Sequence, residues 1–240
     1  MRYSPAPMLD ISKIRAITLD LDDTLWPIWP TIERAEAALA AWLALRAPVT
    51  AGVFANPKAR VALREQVVKN HPDLGHDMSA LRRESIRLAL HQSEENPQLT
   101  EDAFQVFFAE RMRVNLYEDA LPALAFLAQR FPIVALSNGN ADVGRVGIGE
   151  YFHDSLSAHE FGVGKPDPRI FHAAALAAGV TAAEVLHIGD DVHLDVLGAL
   201  GAGMQTVWVN RGDHAWAHDD QPHLTVSELG QLCARLVTPV

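Results

Sequence analysis

Short apolar runs rich in β-branched residues recur along the chain and predict buried strands. These runs are Lys13–Leu21, Phe131–Ser137, Val185–Gly189 and Gln205–Val209. From residue 117 onward, helical periodicity alternates with them and predicts helices over Asp119–Gln129, Pro168–Ala178 and Leu194–Leu200. Strands that alternate with helices predict right-handed βαβ units, and therefore an α/β fold with a Rossmann-like parallel sheet.

Between the first strand and residue 117 the pattern is helical throughout. Thr31 is the predicted N-cap of a first helix, which Pro48 and the following Thr-Ala-Gly end. Further helices are predicted over Pro57–Asn70, Met78–Ser93 and Thr100–Asn115. An all-helical domain is thus expected to be inserted after the first strand of the α/β core.

Composition and charge limit the partners and the compartment. The 240 residues carry 20 Lys and Arg against 30 Asp and Glu, a formal charge of −10. This charge argues against binding to nucleic acid or to acidic membranes, although a locally positive site still suits an anionic substrate. The single cysteine, Cys233, excludes an intrachain disulfide framework and a cysteine-rich zinc site. Without a signal segment or membrane span, the protein is expected in the cytoplasm, and its oligomeric state stays open.

Acidic residues cluster directly after two of the predicted strands. Asp20, Asp22 and Asp23 follow the first, and Asp190, Asp191 and Asp195 follow the run Val185–Gly189. The carboxyl ends of parallel strands share one edge of a sheet, so the two clusters are expected to meet. Carboxylates this close repel one another, and a hard cation with oxygen ligands, such as Mg²⁺, removes that conflict.

Two further loops carry groups suited to an anion. Ser137 and Asn138 follow the second predicted strand, and Lys165 lies in the stiff segment Gly164-Lys165-Pro166-Asp167-Pro168. A hydroxyl, an amide and a lysine are suitable partners for phosphate oxygens. Each signal taken singly also fits an ordinary turn, a surface lysine or a helix N-cap.

Taken in order, the four motifs DLDDTL, SNGN, KPDP and GDDVHLDVLGALGAGM resemble the haloacid dehalogenase superfamily. The resemblance implies that Asp20 is the nucleophile and Asp22 the general acid/base. It implies substrate binding by Ser137, Asn138 and Lys165, and Mg²⁺ binding by Asp20, the carbonyl of Asp22, and Asp190. Asp191 and Asp195 match positions that usually support the metal and the lysine.

The resemblance also implies a division of the chain and a reaction. Residues 1–25 and 116–240 are expected to form the α/β core domain, and residues 26–115 a helical cap of the C1 type. The expected enzyme is a phosphomonoester hydrolase with an aspartyl-phosphate intermediate. Segments such as LSNGNADV and LHIGDDVHLDV are similar to bacterial phosphatases of riboflavin biosynthesis, which act on flavin mononucleotide or a ribitylamino-uracil phosphate.

Several alternatives stay open at this stage. A phosphatase of broad specificity for sugar phosphates or nucleotides fits the same motifs, and a phosphomutase differs only in the fate of the phosphate. A dehalogenase on this fold needs no metal, which the acids Asp22 and Asp190 argue against. A receiver domain is about half this length, and a non-catalytic protein should lack one of the key residues. Trp26 and Trp29, beside the first motif, fit either a core or a platform for a flat substrate.

Overall fold

The computed structural model describes residues 8–237, which form two compact units. One unit is α/β: it comprises residues 8–26, the segment Leu116–Asn138, and residues 143–237. The other is helical and comprises Pro27–Asn115 together with Gly139–Asp142. Among the described residues, no helix is long and apolar enough to cross a membrane.

The α/β unit is built on one sheet to which six strands contribute within residues 8–237, all paired in parallel. In chain order they are β1 (Ala16–Leu19), β2 (Ile133–Ser137), β3 (Asp154–Ser157), β4 (Val185–Gly189), β5 (Gln205–Val209) and β6 (Leu224–Val226). Across the sheet the order is β3-β2-β1-β4-β5-β6. The predicted Rossmann-like α/β fold is therefore confirmed, and the order reverses on either side of β1, where such folds bind ligands.

Helices complete both units. The helical unit contains α1 (Ile28–Ala44), α2 (Pro48–Ala55), α3 (Pro57–Asn70), α4 (Met78–Gln92) and α5 (Thr100–Arg111). The α/β unit contains α6 (Ala120–Ala128), α7 (Val143–Val146), α8 (Ala158–Phe161), α9 (Pro168–Ala177), α10 (Gly198–Gly201) and α11 (Leu229–Val237). A π-helical stretch, Val192–Leu197, leads directly into α10.

Each unit has its own apolar core. In the α/β unit, Ile170 and Phe171 of α9 pack with Val134 and Val185 of the sheet, and all four are buried. In the helical unit, Leu39, Phe54, Ile86 and Phe104 come from four different helices and bury one another. This independent burial explains how a helical segment can interrupt the α/β chain without disturbing its sheet.

Within the first helical stretch one prediction is wrong and a second is incomplete. The structure starts α1 at Ile28 with Pro27 as its N-cap, so Thr31 lies inside the first turn instead of capping it. Pro48 does not merely stop a helix but opens α2, because proline is well tolerated at the first position of a helix, where its missing N–H needs no partner.

Candidate active site

Three neighbouring strands bring the predicted acids and the serine to one edge of the sheet. Asp20 directly follows β1, Ser137 is the last residue of β2, and Asp190 directly follows β4. The backbone N–H of Asp20 donates to the carbonyl of Ile188 at 2.9 Å, which fixes Asp20 against β4. Asp20 and Ser137 are both buried. The sheet topology thus gathers residues that are up to 170 positions apart in the chain.

Lys165 joins two buried carboxylates of the site. Its Nζ donates to Asp20 Oδ1 at 2.5 Å and to Asp195 Oδ1 at 2.6 Å. Burial alone would lower the pKa of Lys165, but the charges of Asp195 and Asp20 outweigh it and raise that pKa. Lys165 is therefore a cation at neutral pH. Because an ammonium has three donors, one N–H remains beyond these two bonds for a substrate oxygen.

The carboxylates differ in their affinity for protons. Burial raises the pKa of Asp20, and the charges of Asp195 and Asp190 add to that effect against the opposing lysine. Burial, followed by repulsion from Asp195 and Asp23, raises the pKa of Asp190 to about 7. Burial would also raise the pKa of Asp195, but Lys165 and His187 outweigh it and hold that pKa below its usual value. Asp20 and Asp190 thus have too little positive charge nearby to keep their pKa values at the usual level.

These acids could hold a metal ion. Asp20, Asp190 and Asp195 each offer one carboxylate oxygen, and these oxygens all lie within 4.8 Å of one another. Thr24 links two of them, since its Oγ1 lies 3.3 Å from Asp20 Oδ2 and 3.2 Å from Asp190 Oδ1. Asp195 is already bonded to Lys165, His187 and the N–H of Asp191. Asp20 and Asp190 are therefore the better placed ligands.

The side chain of Asn138 binds the lysine loop. Its Nδ2 donates to the carbonyl of Lys165 at 2.8 Å, and its Oδ1 accepts from the N–H of Lys165 at 2.7 Å. A Cβ at Gly164 would overlap the Asn138 amide, so the close approach requires glycine there. Both polar ends of the Asn138 side chain thus position Lys165, and the substrate contact expected of Asn138 stays a prediction.

His187, which the sequence analysis did not single out, contacts Asp195. His187 of β4 contacts Asp195 Oδ1 through Nε2 at 3.1 Å and Thr18 Oγ1 through Nδ1 at 2.8 Å. Burial lowers the pKa of His187 despite the neighbouring carboxylate, so the ring is neutral at pH 7. A neutral ring that donates to Asp195 and accepts from Thr18 satisfies both contacts. The other residues of β4 are apolar, so the sequence of this strand gives no sign that His187 bonds to Asp195. The pairing of His187 with Thr18 across the sheet reveals it.

Two other side chains hold the acidic loops. Trp208 of β5 donates its indole N–H to the carbonyl of Asp190 at 2.8 Å. Arg211 donates to the carbonyl of Thr24 and to Asp119 Oδ2, both at 3.0 Å.

Asp191 caps the π-helical stretch by accepting from the N–H groups of His193 and Leu194. Asp191 therefore has a structural partner set of its own and lies outside the carboxylate cluster.

Asp22 lies two residues beyond the nucleophile candidate, on a tight turn. The N–H of Asp23 donates to the carbonyl of Trp26 at 2.8 Å, and Asp23 has a φ of 58°, which aspartate tolerates better than most residues. The indole N–H of Trp26 donates to Asp22 Oδ1 at 2.8 Å. Asp22 is half-buried, whereas Trp26 is fully buried.

Comparison with known proteins agrees with this arrangement. The model of the haloacid dehalogenase-like hydrolases matches residues 14–203, which is most of the chain. This chain belongs to the haloacid dehalogenase-like hydrolase family.

Characterised members similar to this hydrolase carry phosphatase names. It is 34% identical to the 5-amino-6-(5-phospho-D-ribitylamino)uracil phosphatase YigB of Escherichia coli, over 92% of this chain and 96% of that protein. It is 32% identical to a phosphoserine phosphatase of Thermus thermophilus, over 91% and 98% of the two chains.

A similar solved structure carries a different name. The crystal structure of a 2-haloacid dehalogenase from Pseudomonas syringae pv. tomato DC3000 is 37% identical, with a TM-score of 0.87, and the match covers 93% of this chain and 98% of that one. Family membership therefore establishes the fold and hydrolase class, and the phosphatase names of the relatives support a phosphoric monoester hydrolase.

Removing the lysine should destabilise the metal-free protein. Lys165→Ala is expected to lower the free energy of unfolding by about 3–5 kcal/mol at pH 7, because two buried carboxylates lose their counterion. Asp195 has a lowered pKa, so its contribution is present above its unfolded pKa and is lost as the pH falls; the effect should therefore shrink in acid. Urea unfolding at several pH values measures it.

Lys13→Ala is the matched control, because Lys13 makes an exposed ion pair with Asp10. Exposed pairs contribute about 0–1 kcal/mol. A loss for Lys165→Ala no larger than for this control would show that the buried ion pairs do not stabilise the fold.

Proposed function

We propose that this protein is a metal-dependent phosphomonoester hydrolase that works through an aspartyl-phosphate on Asp20. The observation that carries the proposal is the cluster of Asp20, Lys165 and Asp190 on one sheet edge, with Asp195 and Thr24 bonded to it. It combines a nucleophilic carboxylate, a fixed cation for phosphate, and two acids, Asp20 and Asp190, whose negative charge Lys165 does not fully neutralise and which could therefore bind a metal ion. The phosphatase names of the relatives support the same reaction class.

The chemistry follows from the side chains present. A carboxylate oxygen of Asp20 attacks phosphorus, forming an O–P bond as the bond to the leaving alcohol breaks. Asp22 gives its proton to the leaving oxygen and later takes one from the water that attacks the aspartyl-phosphate. Inorganic phosphate and the free carboxylate of Asp20 are then released. Ser137 and the third N–H of Lys165 would bind phosphate oxygens, while Asn138 holds the lysine loop in place.

The donor set fits Mg²⁺. Its ligands would be carboxylate oxygens of Asp20 and Asp190 and the main-chain carbonyl of Asp22, all hard oxygen donors. When bound, Mg²⁺ would neutralise charge on the phosphoryl group and on the acids. The raised pKa values of Asp20 and Asp190 have a common physical origin in burial and repulsion, and a divalent cation removes the repulsion. Asp195 would stay with Lys165.

Hydrolysis of 2-haloacids is the second candidate, because the relative from Pseudomonas syringae carries that name. An aspartate nucleophile also serves that reaction, but attack on carbon needs neither an acid for an alkoxide nor a metal. Asp22 and Asp190 would then have no task. Their presence beside Asp20, with a threonine bonded to both Asp20 and Asp190, favours phosphoryl transfer.

Phosphate release without halide release is the expected result. The purified protein with Mg²⁺ should liberate inorganic phosphate from phosphomonoesters and no chloride from 2-chloropropionate. Both products are measured in the same preparation, so inactive protein cannot be mistaken for specificity. Chloride release at a rate comparable with phosphate release would overturn the preference for phosphoryl transfer.

We propose flavin mononucleotide or a ribitylamino-uracil phosphate as the preferred substrate class, on the similarity to the Escherichia coli phosphatase. Residues 26–115, proposed as a cap, would select the leaving group, since the core residues other than Asp22 are proposed to bind the phosphoryl group. Trp29 is 70% exposed and suits a flat ring, whereas Trp26 is fully buried and does not.

Values of kcat/KM across flavin, sugar, nucleotide and phosphoserine monoesters test the substrate class. The expected order places the flavin and ribitylamino-uracil phosphates first. A clear preference for a sugar phosphate or phosphoserine would replace this substrate and leave the reaction class in place.

A further inference from the structure

Trp26 is bonded to the proposed general acid by a contact that the DLDDTL motif does not require. The side chain is fully buried, and its Nε1–H donates to Asp22 Oδ1 at 2.8 Å. A buried indole N–H needs an acceptor, and here the acceptor is a carboxylate, which makes a stronger bond than a neutral group does. The pair therefore links the core of the α/β unit to the residue on which proton transfer depends.

Backbone hydrogen bonds hold the main chain around this pair in a turn. The N–H of Asp23 donates to the carbonyl of Trp26, and the N–H of Leu25 donates to the carbonyl of Leu21, both at 2.8 Å. The carbonyl of Leu25 accepts from the N–H of Tyr117 at 2.9 Å, which ties the turn to the segment that enters α6. Since the ring is buried and the turn is bonded on both sides, the indole is a fixed donor.

We propose that Trp26 is a positioning residue that sets the orientation of the Asp22 carboxyl group. An indole N–H only donates, so it can neither take the proton of Asp22 nor compete for it. The inference rests on the proposed function, in which Asp22 protonates the leaving alcohol.

Positioning of an acid has a signature that a general structural role lacks. An alcohol with a high pKa must be protonated as it leaves, whereas an acidic phenol such as p-nitrophenol leaves without help. A misaligned Asp22 should therefore slow the hydrolysis of alkyl phosphates and spare that of aryl phosphates with acidic phenols. General damage to the fold would slow both classes equally.

The test is Trp26→Phe, which keeps an aromatic ring but removes the N–H. We expect kcat/KM to fall by about 10–100-fold for alkyl phosphates and by less than about 3-fold for p-nitrophenyl phosphate. Because kcat/KM reports the steps up to formation of the aspartyl-phosphate, the later activation of water by Asp22 does not enter it. In an Asp22→Asn background, Trp26→Phe should add no further dependence on the leaving group.

Two variants keep the outcome clear. Trp42→Phe is the matched control, because Trp42 lies on α1 against the guanidinium of Arg46, and it should leave both substrate classes unchanged. Trp26→benzothienylalanine, in which sulfur replaces the N–H in a ring of almost the same volume, repeats the test if Trp26→Phe does not fold.

The outcomes separate the two proposals. If the wild-type protein hydrolyses no phosphomonoester, the proposed function fails before Trp26 is tested. If the wild type is active and the loss in Trp26→Phe and in the benzothienylalanine variant is equal for alkyl and aryl phosphates, or absent for both, the positioning role of Trp26 is overturned.

Discussion

Asp20→Asn is expected to reduce phosphate release by at least about 10⁴-fold, because an amide does not form the aspartyl-phosphate. The variant should fold, since the amide oxygen can still accept from Lys165 and the backbone N–H of Asp20 still pairs with Ile188. Removing one of the repelling charges should, if anything, stabilise the metal-free protein. Turnover is measured by phosphate release at saturating substrate, with circular dichroism and thermal unfolding for the fold.

Asp154→Asn provides the matched control. Asp154 is exposed at the start of β3, and its carboxylate accepts from the N–H of the next residue, Ser155. Its change to Asn should leave the rate unchanged. Near-normal turnover in folded Asp20→Asn would show that the nucleophile is another group.

Removal of divalent cations is expected to abolish phosphate release, and added Mg²⁺ should restore it fully. Without a cation, the three carboxyl groups of Asp20, Asp190 and Asp195 share the single positive charge of Lys165, so the site has too little positive charge to bind a phosphate dianion. The measurement is phosphate release after exhaustive chelation and desalting, followed by titration with Mg²⁺. Thermal unfolding should shift upward over the same range of Mg²⁺ concentration.

Asp190→Asn sharpens this test. The variant loses one proposed metal ligand, so the Mg²⁺ concentration needed for half-maximal activity should rise by at least about 10-fold, a typical cost of weakened ligation. In the absence of metal, its thermal unfolding should occur at the same or a higher temperature than that of the wild type. Full activity in protein shown by elemental analysis to be metal-free would exclude the metal-dependent mechanism.

The parts of the fold that repeat a simple pattern were predictable from the sequence. The predicted strand over Val185–Gly189 agrees with β4 and the one over Gln205–Val209 with β5, because buried parallel strands appear as continuous apolar runs. The edge strand β3 was missed, since Asp154–Ser157 is short, polar and partly exposed. Its pairing with β2, which no local pattern encodes, makes it a strand.

The candidate site, like the fold, was predictable from the sequence only in part. Convergence of Asp20 and Asp190 followed from the rule that parallel strands end at one edge. The side-chain bonds within the cluster did not, because they join positions far apart in sequence: Lys165 with Asp195, and Asn138 with the backbone of Lys165. His187 was hidden in a strand whose neighbours are all buried. Such partners become visible only when the register of the sheet is known.

Trapping the phosphorylated protein tests the central claim most directly. The protein is mixed with Mg²⁺ and a phosphomonoester, quenched in acid within a single turnover, and reduced with borohydride, which converts an aspartyl-phosphate to homoserine. Peptide mass mapping then identifies which aspartate was converted to homoserine. Homoserine is expected at position 20 in wild-type protein and is not expected in Asp20→Asn. Rapid phosphate release with Asp20 unmodified at every quench time, or modification of a different carboxylate, would contradict the central claim.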